Sequence, residues 1–250
     1  MSRFFLPDSF DFDEKSPLPK EILMTGEDAF HLSVSQRARI GDEVTVCVKG
    51  GYLLSCKIQS ISGGKKEPVV VLEPFSFCRD ESEPNSCITL YQGMPKGKKV
   101  DTIIQKCTEL GVFRIVFVYS DHAVPELSDE DKKLRRFEKI AQEACKQCQR
   151  GALVSVSVLD SVEKAISEMK ENDTYFACYE KESVGGIKPI LKNAGKKIAF
   201  FVGPEGGISE REEKLLEKEG IPTVTLGKRI LRTETAGSTV LSMILYEKEL

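Results

Sequence analysis

Ile198-Ala-Phe-Phe-Val202, then Gly203-Pro-Glu-Gly-Gly207, then Ile208-Ser-Glu-Arg-Glu-Glu213, reads as a buried strand, a glycine-rich loop and a helix. Five apolar residues in a row are strand-sized, and Ser209 three residues before Glu212 is a capping box that starts a helix. Gly203, Gly206 and Gly207 allow main chain to come close to a ligand, and the helix start offers free N–H groups. The loop is neither G-x-G-x-x-G nor G-x-x-x-x-G-K-[ST], and Glu205 stands where a phosphate would be repelled. Dinucleotides and nucleoside triphosphates therefore lose their usual support. A tight turn without a ligand explains this loop alone equally well.

A second stretch repeats the design. Thr223-Val-Thr-Leu-Gly227 leads through Lys228-Arg-Ile-Leu-Arg-Thr-Glu-Thr-Ala236 into a helix with Val240, Leu241, Ile244 and Leu245 on one face. Arg232 and Glu234 stand at the junction, where loops on a rigid scaffold carry function. Individually, Arg232 reads as a surface ion pair and Glu234 as a helix-dipole partner. With Leu226, Ile230 and Leu231 beside them, they describe an apolar cleft holding a few polar groups. Ligands of open α/β sheets bind beyond the carboxyl ends of the strands, so the two loops predict one pocket.

Outward from these loops, apolar strands alternate with amphipathic helices, the pattern of a parallel sheet with crossover helices. Strands are predicted at 88–91, 114–119, 153–158, 175–178, 198–202 and 223–226. Val100, Ile103, Ile104, Cys107 and Leu110 form one helical face closed by Gly111, and a second helix runs from about Asp129 to Cys148. Residues 44–72 alternate with period two (Val44, Val46, Val48; Cys56, Ile58; Val69, Val71), interrupted by Gly50-Gly51 and Gly63-Gly64, as a small antiparallel sheet or barrel does. Between Phe77 and Cys87 the chain turns polar. The expected organisation is a β domain at 1–76, a linker at 77–87 and an α/β domain at 88–250.

Composition narrows the function classes. The 250 residues carry 36 basic and 39 acidic side chains, a net charge of −3, which argues against a protein that coats nucleic acid and leaves room for a local basic patch. No run approaches the ~20 apolar residues of a membrane span, and Pro7-Asp8 arrives before a secretory h-region could form, so a cytoplasmic protein is expected. Eight cysteines scattered among apolar residues fit reduced, buried thiols. Cys145-x-x-Cys148 lacks a second pair, and with only His31 and His122 in the chain no metal site is expected.

The two loops together, Gly203-Pro-Glu-Gly-Gly207 and Leu226-Gly-Lys-Arg-Ile-Leu-Arg-Thr-Glu-Thr-Ala236, resemble the paired signature of the RsmE family, bacterial 16S ribosomal RNA uridine-N3 methyltransferases of the SPOUT class. The resemblance spans nearly the whole chain. Arg3-Phe-Phe-Leu6, His31-Leu and Arg37 to Asp42 are similar to its amino-terminal PUA-like β-barrel. Lys106-x-x-Glu109-Leu-Gly-Val112 and Glu143-Ala-x-x-Gln147-x-x-Arg150 are similar to its two helical motifs. His122 replaces an expected arginine and Phe137 an expected tryptophan.

The resemblance implies an α/β fold: a SPOUT-type knotted parallel-sheet methyltransferase domain with a carboxy-terminal trefoil knot, behind a PUA-like RNA-binding barrel. It implies a homodimer and S-adenosyl-L-methionine held by Val202, Gly203, Pro204, Gly206, Gly207, Leu226, Gly227, Ile230, Leu231, Thr235 and Ala236. The acceptor would be uridine N3 in the 16S rRNA of the small ribosomal subunit. Uridine N3 carries a proton, so a base or a cation stabilising an enolate is required. Arg232 is the candidate cation, and Glu234 and Glu205 are candidate bases or cofactor orienters. Arg37, Arg39, Lys96, Lys98, Lys99, Lys106 and Arg150 are candidate RNA contacts, each singly readable as a solvated charge. Two readings stay open beside this one: a SPOUT enzyme acting on another RNA, and a non-catalytic RNA-binding protein of the same fold.

Overall fold

The computed structural model describes residues 3–7, 9–64, 66–123, 130–179 and 186–249. The chain divides into two compact units, one of residues 1–83 with 146–153 and one of residues 84–145 with 154–250. The predicted helix start at Asp129 lies outside the described residues.

The first unit is a five-stranded sheet in the order β1 (Arg3–Phe5), β3 (Glu43–Val48), β4 (Tyr52–Ser62), β5 (Val69–Arg79), β2 (Ile22–Met24). A short helix, α1 (Gly26–Phe30), continues as one π turn over His31–Ser35. β1 pairs parallel with β3, and the remaining pairs are antiparallel. As described, β1 and β2 are the two edges, so this is an open sheet rather than a closed barrel. Val44, Val46, Val48, Cys56 and Ile58 point inward as their alternation predicts. On β5 the parity is reversed, with Val70 and Leu72 fully buried and Val69 and Val71 only half so. The register Ile22↔Leu72 and Met24↔Val70 sets this, and the run Val69-Val-Val-Leu72 is apolar on both faces, so alternation could not choose between them. β5 also continues through Phe77 to Arg79, three residues into the stretch read as a linker, because Tyr52, Leu53 and Leu54 of β4 pair with it there.

The second unit is a six-stranded, all-parallel sheet in the order β11 (Thr223–Val224), β9 (Thr174–Cys178), β10 (Lys197–Val202), β6 (Cys87–Gly93), β7 (Arg114–Val118), β8 (Ser155–Leu159). Between the strands run α2 (Lys99–Glu109), α3 (Glu130–Cys148), α4 (Val162–Met169), α5 (Lys188–Lys192), α6 (Glu210–Lys218) and finally α7 (Thr233–Lys248). One face of the sheet buries Tyr91, Val116, Ala177 and Phe201 with Ile166 of α4 and Leu216 of α6. The opposite parity, including Leu90, Phe117, Phe176 and Phe200, is also fully buried, with Phe176 stacked on Phe200 at 5.9 Å and Leu90 against Gly237 of α7. Both faces are therefore covered, which is why these strands read as continuous apolar runs rather than alternating ones.

All eight cysteines are free, four of them buried and Cys78 and Cys87 exposed. Among the described residues no helix is long and apolar enough to cross a membrane, and no cluster of His, Cys, Asp and Glu could hold a metal ion.

Candidate active site

β10 ends at Val202, and the glycine loop turns back on itself before α6. Gly207 takes φ +69° and donates to the Pro204 carbonyl at 3.0 Å, closing the turn. The predicted capping box is present: Ser209 Oγ accepts from Glu212 N, and Glu212 accepts from Ser209 N at 2.8 Å. Buried Glu212 also accepts from Asp121 N at 2.9 Å, so one carboxylate fixes the helix start and the loop after β7 together. That loop is clamped again by Ser209 Oγ and Arg211, both donating to Asp121. These hydrogen bonds, Arg211's first, push the Asp121 carboxyl down to about 2.

β11 ends at Val224, and residues 225–232 form the second loop. Gly227 adopts φ +115°, a backbone conformation that side chains other than glycine's rarely take, while Thr225 Oγ1 accepts from Gly227 N and donates to Gly227 O. Arg232 is the N-cap of α7 and offers no side-chain cap; Thr233 in the first turn reaches out of the helix instead. Its Oγ1 donates to the Gly203 carbonyl at 2.7 Å and accepts from Gln92 Nε2 at 2.7 Å. Gln92 Nε2 also lies 3.4 Å and 3.3 Å from the carbonyls of Val202 and Gly203. One buried amide at the end of β6 thus ties both loops to the sheet.

The loops enclose a cavity of about 410 Å³. Of the residues expected to hold a ligand, Val202, Gly203, Pro204, Gly206, Gly207, Leu226, Gly227, Ile230, Leu231 and Ala236 line it. Thr235 does not: it lies within α7, its N–H bonded to the Arg232 carbonyl. Glu205 and Arg232 line the cavity too, joined by Lys99, Cys178, Tyr179, Thr225, Lys228, Arg229 and Thr233.

The charged groups form a cluster around Lys99, at the first residue of α2. Its Nζ is 2.9 Å from Glu205 Oε1 and 3.7 Å from Glu234 Oε2, and Arg232 Nη1 is 3.9 Å from Glu234 Oε1. Burial alone would raise the Glu205 carboxyl. Hydrogen bonds from Lys99 and from the backbone N–H groups of Glu205 and Lys96, with the Lys99 charge, leave it below the usual carboxylate range. Glu234 is four-fifths buried, and its Oε2 has no hydrogen-bond partner. Arg232 is exposed to solvent at the cavity mouth.

The other predicted contacts are less uniform. Lys106 pairs with Glu109 one turn on, and Lys98 is the N-cap of α2. Lys96 donates its backbone N–H to Glu205 at 3.0 Å. In the first unit, Arg37 and Arg39 are on the loop before β3; both are exposed, Arg37 with φ +55° and Arg39 with its N–H on Asp42. Arg150 is a correction. Only 4% of it is exposed, its guanidinium is bound to Glu83 at 2.5 Å, and Gly151 N and Ala152 N donate to the same carboxylate. A side chain sealed inside the first unit in this way is a structural residue, not an RNA contact. Of the two departures, His122 sits over Gly206, its Nδ1 3.2 Å from the Gly207 carbonyl, and Phe137 is buried against Phe117.

Sequence reasoning passed over Gln92 and Thr233. The signal was there in Gln92, a polar residue ending the apolar run Ile88-Thr-Leu-Tyr91, where a buried amide needs partners.

A family model described as RNA methyltransferase domain matches residues 81–245, which span the parallel sheet and both loops. Over 100% of the chain and 98% of the relative, the sequence is 32% identical to ribosomal RNA small subunit methyltransferase E of Bacillus subtilis. The chain belongs to this methyltransferase E family. A ribosomal RNA small subunit methyltransferase E from Neisseria gonorrhoeae, solved bound to S-adenosyl methionine, superposes with a TM-score of 0.81 at 28% identity, over 98% of this chain and 97% of that one. The crystal structure of a hypothetical protein superposes with a TM-score of 0.85 at 30% identity, over 99% and 98% of the two chains. The methyltransferase E likeness therefore covers both units.

Proposed function

We propose that this protein transfers a methyl group from S-adenosylmethionine to N3 of a uridine in 16S ribosomal RNA of the small subunit, in the cytoplasm. What carries the reading is the full-length likeness to ribosomal RNA small subunit methyltransferase E, with the glycine loop and the Lys99 cluster meeting over one cavity. In the same reading the amino-terminal domain expected at 1–76, which extends through β5 and takes in residues 146–153 as the first unit, is the PUA-like RNA-binding domain, and the domain expected at 88–250 is the methyltransferase domain. The carboxy-terminal trefoil knot and the homodimer belong to it as well and rest on the resemblance.

The cavity fits such a cofactor. Main chain of two glycine-bearing loops, with Val202, Leu226, Leu231 and Ala236, offers an apolar slot for a nucleoside, and the Glu205 carboxylate that lines it suits a sulfonium charge; Glu234 stands behind the lining, reached through Lys99 and Arg232. Bound there, S-adenosylmethionine supplies an electrophilic methyl group.

The chain's own task is to position the reactants and handle a proton. Uridine N3 must lose its proton before or as the new N–C bond forms. Glu205, held by Lys99 and the Lys96 N–H and acidified by them, is a poor proton acceptor and acts as an orienter. Glu234 is the base: its carboxylate is held only by the longer ion pairs to Lys99 at 3.7 Å and Arg232 at 3.9 Å, and its Oε2 accepts no hydrogen bond. Arg232 at the mouth offsets negative charge building on the uracil oxygens.

The test is methyl transfer from labelled cofactor into small subunits lacking the modification, followed by nucleoside analysis. N3-methyluridine at one position, lost in Arg232→Ala with cofactor affinity retained, is expected. Label in another nucleoside, or in another RNA only, sinks the proposal.

A further inference from the structure

Methyl transfer brings two ligands together, with reacting atoms about 3–3.5 Å apart, so the acceptor needs a place beside the cofactor cavity. The second unit has a second cavity, of about 450 Å³, lined by Met94, Pro95, Lys96, Gly97, Val100, Tyr119, Lys133, Arg136 and Phe137. It opens at the carboxyl ends of β6 and β7, where Met94 and Tyr119 directly follow the strands, and the first cavity occupies the carboxyl ends of β9, β10 and β11 along the same edge of the sheet. The two share a wall. Lys96 lines the second cavity and donates its N–H to Glu205, while Glu205 and Lys99 line the first.

The lining has the chemistry of a nucleotide site. Met94, Pro95, Val100, Tyr119 and Phe137 give an apolar and aromatic surface for a base, and the three charged residues that line it, Lys96, Lys133 and Arg136, are all cations. Arg136 is held in place by Asp101 at 2.5 Å and lies over the Phe137 ring at 5.8 Å. An aromatic surface with a cationic rim suits a base out of its stack with its phosphates along the edge, and the volume lies within the roughly 300–1,000 Å³ of ligand pockets.

We infer that this second cavity receives the acceptor nucleotide, its base against Tyr119 and its phosphates at Lys96, Lys133 and Arg136. The inference rests on the proposed function and adds the place from which the uridine presents N3 across the Glu205 wall.

The test uses the full chain, small subunits lacking the modification and labelled cofactor, with cofactor affinity measured separately by calorimetry. Tyr119→Ala is expected to raise the subunit concentration giving half-maximal rate at least tenfold, as lost base stacking does, and Tyr119→Phe less than threefold. Lys96→Gln is expected to lower the salt dependence of subunit binding by about one in log–log slope. Cofactor affinity should stay within twofold in all three. In parallel, subunits carrying 4-thiouridine in their RNA are photocross-linked to the wild-type protein, which needs no variant to fold; cross-links at residues 94–99 or at Tyr119 are expected. Normal transfer with an unaltered Tyr119→Ala, or cross-links confined to other residues, overturns the placement alone. If the wild-type protein transfers no methyl group, the proposed function falls and this site falls with it.

Discussion

A methyl group added at Gly93 would lie 2.5 Å from Pro204 Cδ and 2.6 Å from Pro204 N, both fixed parts of the glycine loop. Gly93→Ala should therefore cost about 1–3 kcal/mol by overpacking and weaken cofactor binding as the loop shifts, which a thermal melt and calorimetry would detect. At Glu234 the chemistry is separable from the fold. Glu234→Gln keeps the shape and removes the base, so the single-turnover rate should fall roughly 10²–10⁴-fold with cofactor affinity within threefold; an unchanged rate would assign the proton elsewhere. Asp121 gives a pH prediction. Its folded value of about 2 lies below the roughly 3.9 of an unfolded chain, so its contribution to stability is complete above about pH 4 and is lost as pH falls towards 2. Asp121→Asn should flatten acid unfolding followed by circular dichroism across that window. Of these three residues only Glu234 stood out in the sequence; Gly93 and Asp121 matter through Pro204 and Arg211, more than 85 positions away in the chain.

Among the elements, what was legible followed from local pattern. The runs 88–91, 114–119 and 198–202 were readable as strands because burial on both faces keeps them largely apolar, with Thr89 inside one and Arg114 at the end of another, and Ser209-x-x-Glu212 marked its helix start because a capping box is local chemistry. The short helix α5 escaped, since five residues, Lys188-Pro-Ile-Leu-Lys192, are too few for a period to register. The inward parity of β5 escaped because pairing with β2, some 50 residues earlier, decides it. The tie between the two loops is likewise long-range: Thr233 joins Gly203 and Gln92 through one hydroxyl. Thr233→Val keeps the shape and leaves those partners short of one hydrogen bond inside the wall, at about 1–3 kcal/mol. Cofactor affinity should drop about tenfold, with the far-ultraviolet spectrum unchanged; unaltered affinity would mean that the loops hold each other by packing alone.

In the whole molecule, the first unit is not one stretch of chain. Residues 146–153 belong to it, bringing Lys146 to Asp28 at 2.7 Å and Arg150 to Glu83. Composition showed a polar stretch near residue 80 but not this return, because Lys146 to Leu153 begins as the last turn of an ordinary amphipathic helix with nothing to mark its partner. A fragment of residues 1–83 leaves Glu83 without the Arg150 guanidinium and the Gly151 and Ala152 N–H groups. It should melt less cooperatively than the same unit in the full chain, and a fragment with full cooperativity would show those contacts to be incidental. Within the full chain, Glu83→Ala strands a buried guanidinium and should cost on the order of 3 kcal/mol.

That discontinuity also sets a timetable. A chain emerges from synthesis in order, and a unit whose last piece is residue 153 cannot close when residue 83 has appeared. About 70 residues must follow, which at some 5–20 residues per second is a wait of roughly 4–14 s. During it the open edges of β1 and β2 and the apolar interior behind Phe4 are without their final clasp. The amino-terminal unit is thus begun first and finished only after about two-fifths of the second has been made, so factors that meet nascent chains would encounter it unfinished.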